Sequence, residues 1–90
     1  MSTRDKFEEK LRRRPTPIDV TFNEYSTFLI ANGFRIIDHN THNYVYEYRK
    51  YGVVRRVTCA YPHRTSACVK PAYIRQALDA VDEVRAREED

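Results

Sequence analysis

The run NYVYEYRKYGVVRRVTCA, residues 43–60, decides the fold. In an extended chain, successive side chains point to opposite faces. Over Asn43 to Tyr48 this puts Tyr44, Tyr46 and Tyr48 on one face and Asn43, Val45 and Glu47 on the other. Arg49-Lys50-Tyr51-Gly52 reads as a hairpin turn, with a glycine available for positive φ. Val53 to Ala60 is rich in β-branched residues and returns as the second arm. Just upstream, Arg35 to His39 carries Ile36-Ile37 and reads as a third strand.

Working outward, a helix is predicted on each side of the strands. Thr21 and Glu24 form a capping box, in which hydroxyl and carboxylate each satisfy a free amide. Tyr25, Phe28 and Leu29 recur at helical spacing, and Gly33 supplies the left-handed residue that ends the helix, so Phe22 to Asn32 is predicted helical. Tyr61 to Lys70 reads as a loop holding Pro62, Thr65 and Ser66. Pro71 suits the first position of a helix. Ile74, Ala77, Leu78, Val81 and Val84 form its apolar stripe, which should run to about Arg85. The predicted fold is α+β, ordered α-β-β-β-α, with an antiparallel three-stranded sheet and two helices on one face. The double-stranded-RNA-binding domain has this layout.

Ninety residues suffice for one domain with a modest core. Residues 1–20 form a charged arm or short helix, in which Phe7 and Leu11 sit four apart and Pro15-Thr16-Pro17 ends any helix. Residues 21–85 form the domain, and residues 86–90 an acidic tail. No apolar run approaches the roughly 18 residues that span a bilayer. Met1 to Lys10 lacks the apolar core of a signal peptide. Cys59 and Cys68 are too few for a disulfide scaffold, and reduced thiols in a cytoplasmic protein are expected.

The formal charge is +3, unevenly spread. Between Glu47 and Asp79 there is no acid, while Arg49, Lys50, Arg55, Arg56, Arg64, Lys70 and Arg75 fall there. The acids gather at Asp79, Asp82, Glu83, Glu88, Glu89 and Asp90. A basic middle suits a polyanion partner, and equally an unevenly charged solvated surface. The tyrosine face, if open, would offer stacking surface to unpaired bases. Asn43, Val45 and Glu47 make a poor core, however, so apolar bookkeeping favours tyrosines inward; a bulge near Thr41 could then reverse the facing of His42. His39-x-x-His42 and Cys59-x-x-x-His63 contain metal-ligand types without paired Cys-x-x-Cys spacing, so no metal and no cofactor is expected. Asp19, Glu24, Asp38 and Glu47 are too dispersed for magnesium. Neither a glycine-rich phosphate loop nor a Gly-x-Ser-x-Gly elbow is present.

Several short motifs fall in a telling order: Gly33-Phe34, Asn40-Thr41-His42, Pro62-His63, then Lys70-Pro71 with Ile74 and Leu78. From Thr21 to Val84 the chain resembles the HicA family of toxin ribonucleases. In that pattern a glycine and a serine precede the histidine. Here Asn40 stands for the glycine and tolerates left-handed geometry, and Thr41 keeps the hydroxyl. The resemblance implies a metal-independent endoribonuclease, an mRNA interferase, with His42 as catalytic residue and a cognate HicB-type antitoxin as partner. The chemistry suits a histidine: attack of a ribose 2′-OH on its phosphate needs a base and an acid, and imidazole titrates near neutrality. Taken alone, one strand histidine is weak ground for catalysis. Thr41, Arg55, Arg56, His63, Arg64 and Lys70 are the expected RNA contacts, with His63 a second acid/base or a phosphate ligand. His39 reads as a surface polar residue. The alternatives are an RNA-binding module of the same fold that does not cut, and a protein-interaction domain whose basic face meets an acidic partner.

Overall fold

The hairpin forms as its turn chemistry dictates. A computed structural model describes residues 3–88, and in it the order is α1 (Thr3–Leu11), α2 (Phe22–Ala31), β1 (Arg35–His39), β2 (Asn43–Lys50), β3 (Val53–Ala60) and α3 (Pro71–Glu88). The sheet is antiparallel, ordered β1-β2-β3. Lys50 pairs with Val53, so Tyr51 and Gly52 alone make the turn, with φ of 54 and 77. Two successive positive φ angles match the right-handed twist of the strands they join.

Helix α2 carries the predicted punctuation. The Glu24 amide donates to the Thr21 hydroxyl at 3.1 Å, and the Thr21 amide donates to Glu24 Oε1 at 3.1 Å. Asn32 is its C-cap, and Gly33 follows with φ 93. A Cβ at Gly33 would lie 3.1 Å from the Tyr48 ring, so both the conformation and the close approach require glycine. Phe22, Tyr25, Phe28 and Leu29 are buried.

The tyrosines face inward. Tyr46 and Tyr48 are fully buried and Tyr44 is partly so. Phe22 of α2 meets Tyr44 edge-on at 4.9 Å, and Tyr25 meets Tyr46 at 6.0 Å. Such aromatic pairs add about 0.5–1.5 kcal/mol beyond the area they bury. Helix α3 covers the same face: its Glu83 reaches Arg55 of β3, and its Glu88 accepts from the Tyr48 hydroxyl. Ile74, Ala77, Ala80, Val81 and Val84 complete the core with Val57 and Cys59.

Three differences from the sequence reading stand out. The segment 1–20 contributes a packed helix, so the order gains one element: Leu11 is buried, Lys10 pairs with Glu24 at 3.2 Å, and Arg12 pairs with Asp82 at 2.6 Å. Helix α3 runs on to Glu88, where the Tyr48 contact holds its end; Glu89 and Asp90, and Met1 and Ser2, lie outside the described residues. Strand β1 is exposed throughout, Ile36 and Ile37 included. It is an edge strand, and its register slips between Ile36 and Asp38, leaving Ile37 as an extra residue. A bulge there twists the edge away from regular pairing. Among the described residues no helix is long and apolar enough to cross a membrane.

Candidate nucleic-acid interface

His42 sits immediately before β2 with its side chain exposed. Its backbone is tied on both sides. The amides of His42 and Asn43 both donate to Asn40 Oδ1 at 2.8 Å, and the Asn40 amide donates to the Asn43 carbonyl at 2.9 Å. This is an Asx turn, in which a side-chain oxygen imitates a backbone carbonyl. Asparagine therefore holds this corner through its side chain. The left-handed geometry expected of it is absent, because only Tyr51 and His63 among the described non-glycine residues have positive φ. From the other side, the Tyr61 amide donates to the His42 carbonyl at 2.8 Å.

That bond brings the loop after β3 to the β1–β2 corner. His63 lies two residues beyond Tyr61, within about 7 Å of chain. It is exposed with φ 74, a conformation that costs a residue with a Cβ about 1–2 kcal/mol. Thr41 is exposed in the corner itself, and Arg64 is exposed beside His63. The loop is firmly seated. The Phe22 and Asn23 amides, unpaired donors at the start of α2, take the Ala67 and Thr65 carbonyls at 2.8 and 3.0 Å. The Val69 amide donates to the Val20 carbonyl at 2.9 Å. Lys70 is exposed just before α3. Under the corner lies an aromatic cluster: Phe22, Tyr44 and Tyr61 meet pairwise at about 5 Å, and the His39 ring stacks on Tyr44 at 5.1 Å. His39, exposed as the sequence predicts, thus also packs against an aromatic face.

The two neighbouring arginines part company. Arg55 points to the helix-covered face, where Glu83 accepts from its Nε at 2.6 Å and the Arg56 carbonyl from its Nη1 at 2.6 Å. Arg56 points to the open face. Alternation along a strand forces this divergence. Opposite Arg56 in register lies Glu47, buried to 4% exposure although it belongs to the open face. Glu47 Oε1 accepts from Arg49 Nε at 3.0 Å, and Oε2 from Arg56 Nε at 2.9 Å. Arg49, followed by Arg56, holds the Glu47 carboxyl below the usual carboxylate range. Arg35 of β1 stands opposite Glu47 on its other side. Sequence reasoning overlooked this group, yet its signal was present. A turn confined to Tyr51 and Gly52 pairs Lys50 with Val53 and, three steps back, Glu47 with Arg56.

Elsewhere the chemistry is quiet. Burial pushes the Cys59 thiol up to about 11, well away from a reactive thiolate, and Cys68 is exposed. Among the described residues no three His, Cys, Asp or Glu side chains gather as metal ligands would. Compared with known proteins, the chain matches no family model, no curated protein and no solved structure.

Proposed function

We propose that this chain is a ribonuclease of the HicA type, cutting mRNA without a metal or cofactor in the cytoplasm. The observation that carries the reading is the corner itself. An exposed histidine stands at a strand start with its backbone tied on both sides, and a second exposed histidine follows two residues after Tyr61, whose amide closes that corner. A catalytic group has to be both reachable and fixed.

In the proposed reaction one histidine takes the proton of a ribose 2′-OH as the oxygen attacks the adjacent phosphorus. The P–O5′ bond breaks, and the departing oxygen takes a proton from the other. The products are a 2′,3′-cyclic phosphate and a free 5′-hydroxyl. His42 is the first choice for a catalytic role and His63 the second. Thr41, Arg64 and Lys70 would contact the RNA around them. Arg56 would reach phosphate from the open face, and Arg55 only by exchanging Glu83 for a phosphate. The family resemblance adds a HicB-type antitoxin that covers His42.

His42→Ala should lower RNA cleavage in EDTA by about 10²–10⁴-fold with little loss of RNA affinity. His63→Ala should cost less. Circular dichroism should show both variants folded, because an exposed histidine buries little apolar area. Cleavage by His42→Ala at the wild-type rate would remove the catalytic assignment. RNA retention without any cleavage by the wild type would leave a binding module of the same fold.

A further inference from the structure

The open face of the sheet carries a group that the corner does not use. We propose that Glu47 is a positioning residue that aims Arg49 and Arg56 at successive phosphates of RNA lying across the open face. The inference rests on the RNA reading above and gives it a second contact surface.

A carboxylate buried on a solvent-facing side of a sheet needs a reason, since taking its charge out of water is costly. Here its two oxygens are both spent on guanidinium Nε groups, with Arg49 Nη2 adding a longer contact at 3.4 Å. The arginine side chains themselves stay 57% and 61% exposed. Each guanidinium is therefore clamped at its inner edge and open at its outer edge. Among the described residues, both Nη groups of Arg56 and the Nη1 of Arg49 make no hydrogen bond. A planar fork with free outer donors suits phosphate oxygens, and fixing it beforehand removes ordering entropy that binding would otherwise cost.

The surroundings select the same ligand. Arg35 flanks Glu47 on β1, and Val45, Val54 and Thr58 occupy neighbouring open-face positions, with Asp38 opposite Val45 at the edge. No tyrosine of β2 is on this side to stack bases, since all three face the helices. The face is built for a charged backbone and not for base reading.

The decisive variant reverses the simple electrostatic expectation. Glu47→Gln removes a negative charge, so a surface acting through net charge alone would bind a polyanion more tightly. A positioning role predicts weaker binding. The probe is a fluorescent mixed-sequence 2′-O-methyl RNA, which lacks the attacking hydroxyl, bound to the full chain at about 50 mM salt. Glu47→Gln should weaken binding about three- to tenfold, as should Arg49→Lys and Arg56→Lys, which keep the charge and lose the fork. Arg56→Ala should also lower the salt slope by about 0.7, the value for one lost contact to a single strand. The lysine variants change exposed positions only and keep the test decisive if Glu47→Gln fails to fold. Wild-type or tighter binding by Glu47→Gln, or wild-type binding by both lysine variants, would overturn the proposal and leave the RNA reading standing. A wild-type chain that does not retain the probe would remove both.

Discussion

Tyr51 and His63 share a backbone conformation that residues with a Cβ rarely adopt. The cause differs between them. At Tyr51 the hairpin demands it: the two-residue turn needs positive φ at both positions, and the ring, 87% exposed, returns little packing. Asparagine meets the same demand more cheaply. Tyr51→Asn should therefore stabilise the fold by about 0.5–1 kcal/mol, read as a higher urea midpoint at unchanged m. An unchanged midpoint would mean that the tyrosine ring holds the turn in some other way. No hairpin imposes the conformation of His63. Strain that local geometry does not require is the kind that gathers at functional corners. The core has its own residue-scale oddity. The Tyr25 and Tyr46 hydroxyls are buried with no hydrogen-bond partner among the described residues, and burial raises both above their ordinary values, Tyr46 to about 12.

Helix α1 is held as much by charge as by its single fully buried leucine. Arg85 of α3 donates to both oxygens of Glu8, at 2.9 and 2.6 Å, and to Asn32 Oδ1 at 2.7 Å, so one guanidinium ties the first, second and third helices together. Arg85, followed by Arg12, holds the Glu8 carboxyl down at about 2, against an ordinary 4.5. A carboxylate whose folded pKa lies below its unfolded one stabilises the fold fully above the unfolded value. That contribution fades as pH falls from about 4.5 toward 2. Acid titration should therefore release α1 in that window, seen as lower amide protection factors in residues 7–11 before the sheet amides follow. Glu8→Gln should exchange faster at neutral pH and lose most of the acid dependence. Equal acid dependence in wild type and variant would assign the window to other carboxylates. Element by element, the strands, the capping box, Gly33 and Pro71 were legible in the sequence because each depends on neighbours within a few residues. The packing of α1 was not, because its partners Asp82 and Arg85 lie some seventy positions away. The corner at His42 was legible in its residues. The way Asn40 holds it was not, since either a left-handed backbone or a side-chain acceptor would serve that turn.

Across the whole molecule, the charge asymmetry of the sequence is partly cancelled in space. Three of the four acids of α3 are spent at home: Asp82 on Arg12, Glu83 on Arg55, and Glu88 on the Tyr48 hydroxyl, while Asp79 is exposed. Arg49 and Arg56 face solvent on the open face and Arg64 and Lys70 on the loop after β3, whereas Arg13, Arg14 and Arg75 are exposed together beside α1 and α3, so RNA binding should involve fewer phosphates than the acid-free stretch alone suggests. With Arg49, Arg56, Arg64 and Lys70 engaged, the logarithm of affinity should fall against the logarithm of salt with a slope near about −3 for single-stranded RNA. A slope near zero would exclude a phosphate-dominated interface. The loop from Tyr61 to Lys70 has a consequence of another kind. Main-chain groups hold it to the start of α2 at Phe22 and Asn23 and to Val20 just before it, and the side chains of Arg64, Thr65 and Ser66 are exposed to solvent. Its shape is thus nearly independent of its spelling. A lineage, or an engineer, could rewrite those three letters to change what the corner recognises while inheriting the frame beneath it intact.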